Sequence, residues 1–295
     1  MKNFIIITGG AGFVGTNLIQ LLLNKTNHNI ISIDNYSTGN KKNHIKSKRL
    51  KYLKGDTSNI SNILKDKKNK IHSVFHFGEF SRIYQSFIKF NECFNSNSLG
   101  SREVFKFCLD NKIKLIYSAT SAIFGKKGND KNLSPYAFTK SKNLELLENL
   151  KKWFNFKYEI IYFYNVYGQG HIKKGPMATV IGIFEYKFMK KKPLTVVKPG
   201  SQSRRFTHID DTIQVCYEAW EKNRCAHYSI SHKKSYTILQ VASMFKSKII
   251  FLSKRPGERY ASALTQISLN NKVFRRFGKI DLKDYISSFI KSQIL

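Results

Sequence analysis

Two short segments carry residue types arranged for chemistry. In Tyr136-Ala137-Phe138-Thr139-Lys140 a phenol and an ammonium stand four residues apart, which on a helix puts them on one face, one turn apart. In Thr8-Gly9-Gly10-Ala11-Gly12-Phe13-Val14-Gly15 the glycines follow an apolar run, Phe4 to Ile7. A strand, a glycine turn and a helix start in that order suit a dinucleotide pyrophosphate. Gly9 permits the tight turn, Gly12 lets backbone approach the phosphates, and Gly15 lets helix and strand pack closely. The helix N-terminus adds free N–H groups and a favourable dipole. The spacing is G-x-x-G-x-x-G rather than the commoner G-x-G-x-x-G. A free phenol titrates near pH 10, and a neighbouring cation favours its ionised form. Tyr136 beside Lys140 therefore suits proton transfer at a hydroxyl carbon undergoing oxidation. Together the two segments suggest redox chemistry at a sugar or alcohol carbon using bound nicotinamide. Alone, either segment also fits a plain reading, a surface helix or a glycine-rich turn.

Asp34 ends the next apolar run. A carboxylate there accepts hydrogen bonds from the adenosine ribose and repels a 2′-phosphate. This favours NAD over NADP, with Lys41 and Lys42 weighing slightly the other way. Asp56 reads as an adenine contact or as a turn or cap aspartate.

These groups need a scaffold. Apolar runs at 4–8, 30–34, 73–77, 114–118 and 159–164 read as strands. Helical patterns at 13–23, 98–109 and 136–154 separate them. Alternating strands and helices predict an α/β fold, a Rossmann-type doubly wound parallel sheet covered on both faces. After about Tyr167 the rhythm loosens, with turns at Gly168-Gln169-Gly170 and Pro199-Gly200 and a closing amphipathic helix near 282–294. We expect a dinucleotide-binding domain over 1–167 and a smaller substrate-binding α/β part over 168–295, interleaved with it or separate.

Length and composition set bounds. A chain of 295 residues with 41% hydrophobic content can bury a core without staples. No apolar run approaches the roughly 20 residues of a membrane span, and the run before the glycines is too short for a signal-peptide core. The expected compartment is the cytoplasm, with no membrane insertion. Cys93, Cys108, Cys216 and Cys225 form no C-x-x-C pair, and no Cys/His cluster has zinc spacing. They read as reduced thiols, with no metal expected. The formal net charge of +32 raises nucleic-acid or anion binding as a rival function. The lysines are scattered, however, with no basic arm and no RNA-binding aromatic motif. We read them as solvated surface that helps attract an anionic substrate.

These residues in this order resemble the extended short-chain dehydrogenase/reductases, in particular nucleotide-sugar epimerases of the UDP-glucose 4-epimerase type. The resemblance covers nearly the whole chain. It also includes Tyr164-Asn165-Val166-Tyr167-Gly168 and Arg204-Arg205-Phe206-Thr207-His208-Ile209-Asp210-Asp211. It implies NAD as cofactor and Tyr136 as acid and base toward the sugar 4-hydroxyl. Lys140 would bind the nicotinamide ribose. Thr120, five residues before Gly125, would bind the reacting hydroxyl, with Ser118 and Ser121 as fallbacks. Phe13, Val14, Asn35, Phe77, Gly78 and Asn97 join the expected cofactor contacts, Asn97 equally reading as a helix cap. On the substrate side it implies Asn165, and Arg204 with Arg255 for the diphosphate. Glu258 would serve the nucleoside ribose, and Ser262 would leave room at the sugar C2 substituent.

Three departures matter. Related 4,6-dehydratases carry an Asp-Glu pair after the threonine, and related decarboxylases a glutamate. Ser121 and Ala122 stand there instead and cannot serve as acids. His76-Phe77-Gly78-Glu79 replaces the usual His-x-Ala-Ala, and Glu79 with Arg82 reads as an ion pair or as sugar contacts. Tyr162 replaces an arginine. The expected function is a UDP-hexose 4-epimerase acting through a 4-keto intermediate, on UDP-glucose or UDP-N-acetylglucosamine. A nucleotide-sugar reductase or an epimerase at another carbon, such as a heptose epimerase, is the alternative. The family's pairing through two helices, here near 98–109 and 136–154, implies a homodimer.

Overall fold

The computed structural model describes residues 3–124, 130–257 and 273–294. Its centre is an eight-stranded sheet built mostly from short apolar runs. β1 (Phe4–Thr8), β2 (Asn29–Asp34), β3 (Leu50–Lys54), β4 (Ile71–His76), β5 (Lys114–Thr120) and β6 (Tyr158–Phe163) are joined by His227–Ser231 and Val273–Phe277. The order across the sheet is Val273–Phe277, His227–Ser231, β6, β5, β4, β1, β2, β3. Every pairing is parallel, so both faces must be covered.

Side chains alternate across each strand and feed two cores. Ile5 and Ile7 join Leu18, Ile19, Leu22 and Cys216 under helix α1 (Phe13–Lys25) and helix Ile209–Lys222. Ile6 joins Val104, Phe105, Leu144 and Leu147 under helices Ser101–Asp110 and Pro135–Phe154. The long helix starts where the sequence stops it from starting earlier. The Ser134 side chain accepts from the Ala137 amide, Pro135 follows, and left-handed Asn155 ends it. A third core, with Tyr167, Phe184, Phe206 and Phe245, belongs to the C-terminal part.

The structure departs from the sequence reading in two places and decides a third. The helix expected over 98–109 is a π-helical turn, Asn95–Gly100, followed by Ser101–Asp110. The close approach of Gly100 to Thr57, where a Cβ would sit 2.3 Å from the threonine hydroxyl, fixes that segment. Strand β3 is half-exposed at the sheet edge and carries two lysines, so its apolar pattern is weak. Beyond residue 167 the chain returns to the first part: His227–Ser231 pairs with β6, and helix Ile209–Lys222 packs on α1. The segments after 167 are thus interleaved with the dinucleotide half.

The chain runs from β1 to β2 on one side, and β4 lies on the other side of β1. The crevice outside the strand ends at such a reversal is where open α/β sheets bind ligands.

Candidate active site

A cavity of about 530 Å³ opens at this point, running from the glycine turn past Tyr136 to Arg204 and Arg255. Its first end is built by backbone. Gly9 has φ +72°, and a Cβ there would come within 2.9 Å of the Gly78 and Phe77 backbone. A Cβ on Gly15 would sit 2.3 Å from the Gly9 carbonyl. The α1 N-cap is Gly12, with no side-chain cap and no acid in the first turn. Its leading N–H groups are therefore left for an anion. Phe13, Val14, Asp34, Asn35, Phe77 and Gly78 line the same space. The Asp34 carboxylate accepts from the Ala11 and Tyr36 amides at 3.0 and 2.8 Å, and burial raises its pKa. The cradle and the acid at the end of β2 fit a dinucleotide with a free adenosine ribose.

Two expected cofactor contacts have hydrogen-bond partners within the chain. Asp56 caps the turn Thr57–Asn59 by accepting from the Ser58 amide and accepts from Asn35 at 3.0 Å. It is absent from the cavity wall, whereas Gly55 and Thr57 lie on it. Asn97 is fully buried and bonds both the N–H and the C=O of Phe80, at 2.7 and 3.1 Å. These bonds tie it to the segment after β4.

Tyr136 and Lys140 stand one turn apart on the buried side of Pro135–Phe154, and both line the cavity. Thr120, at the end of β5, lines the cavity with Tyr136 and caps the turn Ser121–Ile123 by accepting from the Ala122 amide at 3.1 Å. Burial pushes the Tyr136 phenol up to about 12, and Glu79 adds to this; Thr120 and Arg82 act the other way. The Lys140 ammonium donates to Glu79 and to the Ser118 carbonyl.

Glu79, read from the sequence with Arg82 as an ion pair or as sugar contacts, has a buried side chain. Its carboxylate, 2% exposed, pairs with Lys140 rather than Arg82. It also accepts from Ser101 at 2.8 Å, Tyr117 at 3.0 Å and Asn143 at 3.2 Å. Its oxygens are so engaged in this network, and it lies in the cavity lining. Arg82 instead donates to the carbonyls of Met177 and Ser81. The expected salt bridge lost at Tyr162 is replaced by a buried hydrogen bond to His227, 3.0 Å.

At the far end Asn165, held in a positive φ by its bond to the Arg205 carbonyl, lines the cavity with Arg204. Arg255 lies there too, its guanidinium 4.9 Å from the Tyr84 ring centre. Glu258 and Ser262 lie outside the described residues, as does Gly125.

The residue that sequence reasoning missed is His76. It is fully buried, bonded to Thr8 at 2.7 Å and Ser101 at 2.9 Å. Burial lowers its pKa from 6.5 to about 4. An unfolded histidine takes a proton near 6.5, so this group's stability is whole above that pH and is lost as pH falls toward 4. Thermal midpoints should fall between pH 7 and pH 5, and less steeply in H76Q. Equal slopes in the two proteins would contradict the assignment.

The model of the NAD dependent epimerase/dehydratase family matches residues 5–231. The chain is 28% identical over 257 residues to an ADP-L-glycero-D-manno-heptose-6-epimerase of Brachyspira hyodysenteriae, covering 82% of this chain and 80% of that one. It is 27% identical to a Methanocaldococcus jannaschii protein provisionally named a UDP-glucose 4-epimerase, over 97% of each. A UDP-glucuronic acid 4-epimerase of Bacillus cereus, solved with UDP-glucuronic acid and NAD, superposes with a TM-score of 0.83 at 26% identity. That match covers 98% of this chain and 99% of the other.

Proposed function

The chain belongs to the NAD dependent epimerase/dehydratase family, and from that premise we propose that it is a nucleotide-sugar epimerase, acting on a UDP-hexose at C4. One observation carries the reading. Tyr136 and Thr120 line a single cavity together with a dinucleotide cradle and two arginines suited to a diphosphate. When bound, NAD supplies reversible hydride exchange with the sugar carbon.

The protein's own groups do the rest. Thr120 holds the reacting hydroxyl and Tyr136 takes and returns its proton. Gly9, Gly12 and Gly15 hold the cofactor phosphates, and Asp34 its ribose. Arg204, Arg255 and Asn165 hold the substrate's diphosphate end. Ser121 and Ala122 line the wall where an elimination or decarboxylation would need an acid. A reaction with no net oxidation fits the groups present. UDP-glucose and UDP-N-acetylglucosamine are the first substrates to try.

The test is direct. Denatured protein should release NAD, and native protein should convert either UDP-sugar to its galacto isomer with no added cofactor consumed. Oxidation of substrate only while added cofactor is consumed would replace the epimerase by a dehydrogenase or reductase. Activity on an ADP-heptose alone would move the chemistry to another carbon. Arg204→Ala and Arg255→Ala should each raise KM roughly thirtyfold, about 2 kcal/mol for a charged hydrogen bond. Unchanged KM in both would remove the diphosphate assignment.

The pairing of two copies through the 98–109 and 136–154 helices stays part of this proposal. Leu99 and Phe138 are exposed on those elements, with Phe87, Ile88 and Phe90 beside them in the chain. Sedimentation should show a dimer.

A further inference from the structure

We propose that Tyr84 is a positioning residue for the substrate diphosphate, its ring holding the Arg255 guanidinium at the cavity. This deepens the reading above, since it rests on Arg255 meeting the diphosphate.

The two arginines at that end of the cavity are held differently. Arg204 lies on the short strand Ser203–Arg204, and its guanidinium donates to the Ser203 carbonyl at 2.8 Å. Arg255 follows the strand Ile249–Leu252, in a segment whose residues 253–256 are all exposed. Among the described residues no hydrogen bond and no ion pair holds its guanidinium. What it meets is the face of Tyr84, with the guanidinium carbon 4.9 Å from the ring centre. The negative face of the ring attracts the cation. Arginine carries five N–H donors, and a contact with a ring leaves them for oxygen acceptors. An unheld arginine gives up rotamer freedom when it grips a ligand. A ring that already restricts the side chain lowers that cost of binding.

Tyr84 is itself well placed to do this. It belongs to the short helix Ile83–Ile88. The Arg82 carbonyl accepts from the Ser86 amide at 3.1 Å. The Ser86 hydroxyl donates to the Ile83 carbonyl at 2.6 Å and accepts from the Tyr136 amide at 3.2 Å. One stretch of helix thus carries both the ring behind Arg255 and a bond to the backbone of the proposed acid and base. The segment bearing Arg255 is seated on the same helix a second time. Gly257, at φ +74°, approaches so closely that a Cβ there would stand 2.8 Å from Ile83 Cγ2 and 2.9 Å from Phe87 Cε2. Ile83 and Arg255 line the cavity and Tyr84 does not, so the tyrosine acts through the arginine.

The test uses the full chain saturated with NAD. The probe is UDP, with uridine as the control that lacks phosphate, both titrated by calorimetry. Tyr84→Leu should weaken UDP binding roughly threefold, as for an exposed cation–π contact, about 0.7 kcal/mol, and leave uridine binding unchanged. Tyr84→Phe keeps the ring and should bind UDP as wild type does. The loss should vanish in an Arg255→Ala background and persist in Arg204→Ala. With a UDP-sugar that reacts, Tyr84→Leu should raise KM and leave kcat in place. Tyr84→Gln takes the place of the leucine variant if that one does not fold. UDP binding unmoved by Tyr84→Leu while Arg255→Ala weakens it would overturn the proposal. So would an equal loss from Tyr84→Leu with and without Arg255. UDP binding untouched by Arg255→Ala would remove the diphosphate assignment and this inference with it. A protein that binds UDP in the expected pattern but turns over no nucleotide sugar would sink the epimerase reading alone.

Discussion

Tyr136→Phe is expected to leave the fold and the bound dinucleotide in place while turnover falls by about a thousandfold, the middle of the range for a positioned acid or base. The phenol lies within the small cluster of Phe80, Cys93 and Ala122, and phenylalanine fills the same volume. NAD released on denaturation should be unchanged, because the cradle at residues 9–15 contacts other backbone. A parallel Thr120→Ala variant should lose less, since the hydroxyl orients and does not itself take the proton. The pH dependence follows from the raised phenol. Tyr136 pushed up to about 12 is mostly protonated at neutrality, so the oxidising half-reaction should quicken steadily as pH rises from 7 to 9. Turnover that survives Tyr136→Phe would place the acid/base elsewhere.

Gly15→Ala should have the next largest effect, and through a different quantity. The added methyl would sit 2.3 Å from the Gly9 carbonyl oxygen and 2.7 Å from Gly10 Cα. All of these neighbours are backbone, so no side chain can swing aside. Either α1 moves off β1 or the glycine turn opens, and both displace the N–H groups meant for phosphate. Strain of about 2 kcal/mol is typical of such overpacking, equivalent to roughly thirtyfold in NAD affinity. Equilibrium binding of NAD and the thermal midpoint should fall together. Gly12→Ala is the milder comparison for the fold, its methyl meeting the Gly9 carbonyl at 3.2 Å. NAD binding equal to wild type in Gly15→Ala would remove the turn from the cofactor site.

The sheet and the cofactor end were legible because their signals are local. Ile5, Ile6 and Ile7 must be buried wherever the chain goes, and period-two alternation sends them to opposite cores. Glycines at 9, 12 and 15 state a backbone requirement within eight residues. Strand β3 was not legible, since an edge strand needs few apolar residues. Nor were His227–Ser231 and the helix Ile209–Lys222, whose place in the first sheet depends on which edge the returning chain meets.

By itself the sequence determined the parallel α/β fold, the glycine turn and the Tyr136/Lys140 spacing, because each is set by residues a few positions apart. Only the tertiary structure decided what Lys140 does. Glu79 is 61 residues away in the chain and reaches it only because β4 and β5 lie side by side with the catalytic helix across them. The same folding gave Asn97 its bonds to Phe80, put Asp56 at the cap of the turn Thr57–Asn59 and buried His76 without charge. A motif fixes which groups are present. Burial and long-range pairing fix which partners each of them meets.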